Sequence, residues 1–230
     1  IIVKVDSFGS NIAVFGATGG VGQLICKTLI ANKLNVNILT RDLNNAKKFN
    51  NLNGCNIFEG NALNKDSILP VIRNVDSLII SVGTTAFPTK KWDNGNNPRN
   101  ACYETVNNIL NAASTNSNKV KRVILISSVG VERTNEFPYK LLNSYGVLNA
   151  KLDSEKLVLS NAVKFGYEAV VIRPGRLVGE PFTNFDLAKL LNINQGSNKG
   201  ITLSKRDELN GDVERLDVAT ATYKILSLKP

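Results

Sequence analysis

Apolar and polar positions follow two rhythms along this chain. Short continuous apolar runs of strand length are separated by longer stretches with helical spacing, the order expected of repeated strand–helix units around a parallel sheet. Residues 11–15 read as the first strand and 21–31 as its helix, 34–39 as the second strand with 43–49 helical after it, and 55–58 as the third strand followed by a helix over 65–72. The fourth strand is expected over 78–82. A polar loop rich in Pro, Gly and Asn, from 83 to about 99, then interrupts the alternation before a helix over 101–114. Loops of that length in compact domains are usually functional or mobile. Residues 120–126 give the fifth strand, 144–165 a long helix and 168–172 the sixth strand. Runs such as Val123-Ile-Leu-Ile126 do not alternate, which predicts strands covered on both faces. Beyond Pro174 a short helix is expected near 185–191 and a last one over 216–226. No repeat, linker or domain boundary is visible, so residues 1–230 read as a single α/β domain.

The junction between the first strand and the first helix carries the most specific chemistry. Gly16, Gly19 and Gly22 stand in a G-x-x-G-x-x-G spacing, with Thr18, Gly20 and Val21 between them. A turn without Cβ atoms lets the backbone approach a pyrophosphate, and the helix N-terminus meets the charge with unpaired N–H groups. A tight glycine turn with no ligand is the plainer reading, and the context argues against it. Thr18 can add a hydroxyl donor. The fold this implies is a Rossmann-type, doubly wound parallel sheet with helices on both faces, in which residues 174–230 form a small C-terminal extension capping the substrate or partner side.

The second strand ends Leu39-Thr40-Arg41-Asp42, where such a fold meets the adenosine ribose. A guanidinium there can pair with the 2′-phosphate of NADP, and an acidic side chain can accept from the 2′-hydroxyl of NAD. Arg41 favours NADP(H), Asp42 keeps NAD(H) open, and a surface arginine is the bland alternative. Asn61 and Ala62, after the third strand, would pass the adenine ring, although Asn61 can equally cap a turn. Val82 and Gly83 close the fourth strand on the ribose side.

Composition narrows the chemistry. Histidine is absent, which excludes His-based acid–base chemistry, Ser-His-Asp triads and histidine-containing zinc sites. Cys26, Cys55 and Cys102 are widely spaced and odd in number, a pattern of neither a disulfide framework nor a metal knuckle, so no metal site is expected and a reducing compartment fits better. The net charge of +9 comes from scattered lysines without a basic block and reads as a solvated surface. RNA binding is therefore a minor reading, and no nucleic-acid partner is expected. Asparagine, at 31 residues, occurs in short clusters that suggest compositional drift. No apolar run approaches the roughly 20 residues of a membrane span, which leaves a soluble or peripherally associated protein. The chain begins at Ile1 and contains no Met, as a processed or truncated terminus would, and a removed targeting segment would leave no trace.

Four stretches carry a resemblance that spans nearly the whole chain: residues 14–22, Thr84-Thr-Ala-Phe-Pro88 with Trp92-Asp93, residues 146–155, and Val171-Ile-Arg-Pro-Gly-Arg-Leu-Val178. Together they are similar to the atypical short-chain dehydrogenase/reductase superfamily, especially its NAD(P)-binding, NmrA-like branch and related plant and algal chloroplast proteins. The resemblance implies a serine after the fifth strand that orients a carbonyl, a tyrosine that exchanges the proton, and a lysine four residues later that holds the nicotinamide ribose and lowers the tyrosine pKa. Ser127 and Ser128 supply the serine position, with Ser128 the candidate catalytic hydroxyl and Ser127 lining the cofactor; Lys151 matches the lysine. Val147 stands where the tyrosine belongs, and a valine exchanges no proton. Tyr145 is six residues from Lys151, about 120° away around a helix. Tyr139, in the preceding loop, is the remaining candidate donor. Pro174 and Gly175 leave the sixth strand beside the expected nicotinamide. Arg176 would pair with a phosphate, a substrate anion or a structural carboxylate, and residues 181–186 would cover a substrate pocket or form ordinary core.

Two functions follow. In the first, the chain is an NADP(H)-binding auxiliary or assembly subunit of a larger complex whose partner is not identified. By resemblance that complex is plastid-located, in the stroma or at the thylakoid, with the cytoplasm as the alternative. In the second, it is an NADPH-dependent reductase or epimerase of a small carbonyl or quinone that takes its proton from Tyr139, a substrate group or water.

Overall fold

The computed structural model describes residues 9–115, 120–181 and 201–228. Six strands form one parallel sheet: β1 (Asn11–Phe15), β2 (Asn35–Thr40), β3 (Asn56–Glu59), β4 (Ser77–Ile80), β5 (Arg122–Ile126) and β6 (Glu168–Ile172). Their order is β3-β2-β1-β4-β5-β6, with every pairing parallel. The order reverses direction between β1 and β4, and a crevice opens there at the strands' carboxyl ends.

The period of two within each strand divides its side chains between two cores. Ile12 and Val14 of β1, Ile38, Ile79, Ile124 and Ile126 face one layer, built from α1 (Gly20–Ala31) and the last helix. Ala13, Phe15, Leu39, Leu78, Ile80, Val123 and Leu125 face the other. That second layer contains α3 (Lys65–Ile68), which follows the short α2 (Leu43–Ala46), together with α4 (Thr105–Ser114). After the small α5 (Tyr139–Leu142), α6 (Val147–Phe165) completes it through Val158. Covering both faces explains why the strand sequences read as unbroken apolar runs. The last helix, α7 (Arg215–Ser227), packs Val218, Ala219 and Leu226 into the same cluster as Leu24, Ile25 and Leu29 of α1.

Several element boundaries differ from the sequence expectation for local reasons. The helix expected over 65–72 stops at Ile68, because Pro70 has no N–H to continue the ladder. The helix expected over 43–49 ends at Ala46 and is followed by a 3₁₀ turn, Asn50–Leu52. The 101–114 helix opens instead with a π-helical turn, Asn100–Glu104, in which the Thr105 hydroxyl donates to the Asn100 carbonyl at 2.9 Å. The long helix starts at Val147, not 144: Gly146 takes φ +76°, and Asn143 Oδ1 accepts from the Leu148 and Asn149 N–H groups at 3.0 and 3.1 Å.

A second, two-stranded parallel sheet was not expected. It pairs β7 (Arg176–Val178) with β8 (Asp212–Glu214). The expected helix near 185–191 lies outside the described residues.

Candidate functional site

At the crevice the carboxyl ends of the strands open into a groove of about 810 Å³. Its floor is the glycine turn. Gly16 has φ +83°, and a Cβ there would stand 2.3 Å from the Ser81 carbonyl oxygen. A Cβ on Gly22 would stand 2.2 Å from the Gly16 carbonyl oxygen, so Gly22 lies beneath the turn and supports it from within α1. Gly19 caps the helix with no side chain of its own, and its N–H donates to the Gly16 carbonyl at 3.0 Å. Thr18, Gly19, Gly20 and Val21 line the groove, and at the two glycines a polar ligand meets backbone rather than side chains.

Along one arm of the groove stand Arg41, Asn45, Asn61 and Ala62. The Asp42 carboxylate caps α2 by accepting from the Asn45 N–H at 2.9 Å, while the Thr40 hydroxyl binds the Asp42 backbone. Asn61 closes its own turn, its Oδ1 accepting from the Leu63 N–H at 3.0 Å.

The other arm holds Val82, Gly83, Ser127, Ser128, Lys151, Pro174 and Gly175. Lys151 Nζ donates to the Ile126 carbonyl at 3.4 Å, and a Cβ on Gly83 would come within 3.8 Å of that ammonium. Ser127 is 5% exposed; its N–H donates to the Ile172 carbonyl at 2.7 Å, but its hydroxyl has no hydrogen-bond partner among the described residues. The buried Thr84 hydroxyl, also on the groove wall, is likewise without one. Ser128 Oγ donates to the Val129 carbonyl at 3.0 Å.

The tyrosine candidates sit elsewhere. Tyr139 is buried in a side cluster with Ala101, Cys102 and Val147, and it does not line the groove. Its hydroxyl donates to Asn210 Oδ1 and accepts from Arg133 Nη2 at 3.2 Å, and its ring fills the space a side chain at Gly130 would need. Val147, 6% exposed, belongs to that same apolar cluster. Tyr145 lies on the surface, edge-on to Phe87 and Trp92. Of the three pairings open to Arg176, the one formed is with a carboxylate: its guanidinium reaches Asp212 at 2.7 and 2.8 Å and ties β7 to β8.

Several groove residues escaped the sequence reading: Gln23, Thr84, Lys91, Asn96 and Arg215. Lys91 lies inside the Phe-Pro…Trp-Asp stretch, so the motif pointed at its loop without singling it out. For Arg215 the sequence holds no signal. Burial, and then the nearby Arg215 guanidinium, pull the Lys91 ammonium below its usual pKa; burial does the same to Arg215.

A glycine cradle that a single methyl would fill, an anchored lysine and two buried hydroxyls awaiting partners fit a dinucleotide. The profile of a family described as NAD(P)H-binding matches residues 16–228. The chain belongs to that NAD(P)H-binding family. No curated protein matches this NAD(P)H-binding chain by sequence. Solved structures do. ChuY, an anaerobillin reductase from Escherichia coli O157:H7, is 19% identical over 94% of this chain and 89% of its own, with a TM-score of 0.65. Vestitone reductase from alfalfa is 20% identical over 96% and 74%, with a TM-score of 0.63. MoeE5, solved with UDP-glucuronic acid and NAD, is 17% identical over 96% and 73%, with a TM-score of 0.68. At these identities the likeness is one of fold: that of NAD(P)-binding reductases and epimerases.

Proposed function

We propose that the chain is an NADP(H)-dependent reductase of the short-chain dehydrogenase/reductase type that works without a tyrosine proton donor. The observation that carries this reading is the wall formed by Lys151 with the unpartnered hydroxyls of Ser127 and Thr84. A buried hydroxyl without a partner costs about 1–3 kcal/mol, a penalty that a bound cofactor or substrate oxygen relieves. A bound nicotinamide would supply the hydride. Lys151 would hold the ribose hydroxyls, Ser127 would donate to the acceptor's oxygen, and the proton would come from the substrate or from water, because Val147 has none to give. Support for NADP over NAD comes from Arg41 on the groove wall and from the Asp42 carboxylate being occupied as a helix cap.

Purified protein supplied with NADPH and a panel of quinones and small carbonyls should oxidise the cofactor steadily with at least one of them. Tight binding with no oxidation across the panel would replace this reading with a second, that of an NADP(H)-holding auxiliary subunit in a larger plastid complex. That alternative draws on large apolar side chains left exposed, among them the Phe87–Tyr145 pair and, separately, Leu141 and Phe137, the last 83% exposed. Replacing Arg41 by Ala should shrink the preference for NADPH over NADH by about tenfold, as expected when a charge-assisted pair to phosphate is lost. An unchanged preference would remove the NADP assignment.

A further inference from the structure

Two cations reach the groove from segments that the glycine motif does not include. Arg215, the first residue of α7, lies across Gly20, the first residue of α1: its Nε is 2.8 Å from the position a Cβ on Gly20 would take, and the Pro181 carbonyl oxygen is 2.5 Å from it. The guanidinium is steadied from behind, Nη1 donating to the Gly179 carbonyl. Lys91 comes from the segment Lys90–Gly95, two short 3₁₀ pieces that meet at a kink at Asp93 and Asn94. That segment is itself braced, with Trp92 Nε1 donating to the Thr85 carbonyl at 3.1 Å and Asn96 Nδ2 to the Lys91 carbonyl at 2.7 Å. Both cations line the same groove, and the Arg215 guanidinium acts electrostatically on the Lys91 ammonium.

Two positive charges beside the N-terminus of α1 can engage an anion with two or more negative oxygens together, and the glycine turn below is shaped for a pyrophosphate. The geometry points to Lys91 and Arg215 as a two-cation clasp that closes over the pyrophosphate of the bound dinucleotide, with the 84–97 loop and the C-terminal helix as its two jaws. This rests on the dinucleotide reading above and adds a retention device to it. The glycine turn would grip the pyrophosphate from below and the clasp from above, so the cofactor would leave only when the Lys91 jaw swings away.

Calorimetric binding of three probes to the whole chain tests the clasp: NADPH, ADP-ribose, which keeps the pyrophosphate but lacks the 2′-phosphate, and adenosine 2′-monophosphate, which lacks the pyrophosphate. Lys91→Gln and Arg215→Gln should each weaken NADPH and ADP-ribose by about tenfold or more, and leave adenosine 2′-monophosphate unchanged. Stopped-flow release of NADPH should quicken correspondingly, and Arg215→Lys should recover part of the loss. If wild-type protein binds NADPH and Lys91→Gln binds it as tightly, the clasp is wrong and the dinucleotide reading stands. If wild-type protein binds neither NADPH nor NADH, both fall. An equal loss for adenosine 2′-monophosphate would assign the cations to the 2′-phosphate and overturn the clasp. Lys91 lies on a turn outside the apolar core clusters, so its variant decides the matter even if Arg215→Gln does not fold.

Discussion

At the scale of single residues, the glycines of the turn are set by hard contacts rather than by propensity. A methyl at Gly16 or Gly22 would lie 2.3 or 2.2 Å from a backbone oxygen, and backbone cannot swing away as a side-chain tip can. Gly22→Ala should therefore cost about 2–4 kcal/mol, combining overpacking with backbone displacement, and abolish the rise in melting temperature that NADPH gives the wild type. A variant that melts as the wild type and still responds to NADPH would show that the turn is more pliable than these distances imply. Lys151→Ala, in contrast, should keep the fold and weaken NADPH by about tenfold, as loss of a charge-assisted hydrogen bond does. The glycines were legible in the sequence because only glycine satisfies those contacts, and Lys151 because it lies on a recognisable helix. Tyr139 had a suitable hydroxyl at a suitable distance along the chain. Its partner, Asn210, lies 71 residues away, and no local pattern records such a contact.

At the scale of elements, polar anchors hold the ends of apolar strands and helices. Arg122, fully buried at the start of β5, donates to Glu168 of β6 and to the Ile225 and Leu228 carbonyls at the end of α7. Arg122→Leu would strand the carboxylate and the helix-end carbonyls together. A loss of about 3 kcal/mol in urea unfolding is expected. Asp207 performs a similar task for the C-terminal segment. Burial alone would raise its pKa, but the Gly130 and Glu132 N–H groups and the Arg133 guanidinium hold the carboxyl below its usual value. A carboxyl with a depressed native pKa stabilises the fold above its unfolded-state pKa, about 3.9, and loses that contribution as the pH falls through the native value. The stability gap between wild type and Asp207→Asn should thus be full at pH 6 and close progressively below about pH 4. A gap independent of pH would detach Asp207 from acid unfolding. The six strands were legible because burial on both faces leaves unbroken apolar runs. The β7–β8 pair was not, since three-residue strands separated by more than thirty positions have no periodicity to detect.

At the scale of the whole molecule, the nucleotide groove belongs to both ends of the chain. The glycine turn lies near the N-terminus, yet Arg215 lies against it because α7 packs on α1 through a shared core. The sequence could not reveal this, since the meeting depends on the path of every element in between. The doubly wound order itself followed from the alternation of runs, because right-handed crossovers leave few other arrangements. NADPH should raise the melting temperature of the intact chain, whereas a chain ending before Arg215 should lose both that response and much of its stability.

The β7–β8 ladder also bears on how such a protein can change over time. Arg176 to Val178 and Asp212 to Glu214 lie side by side, so the connecting chain leaves and returns at one fixed place. Lengthening a connection whose ends are already held costs only a slowly growing entropy. While Gly179 and Asp207 keep their contacts, extra residues inserted between the two strands should leave the nucleotide groove in place, which NADPH binding by such an insertion variant checks.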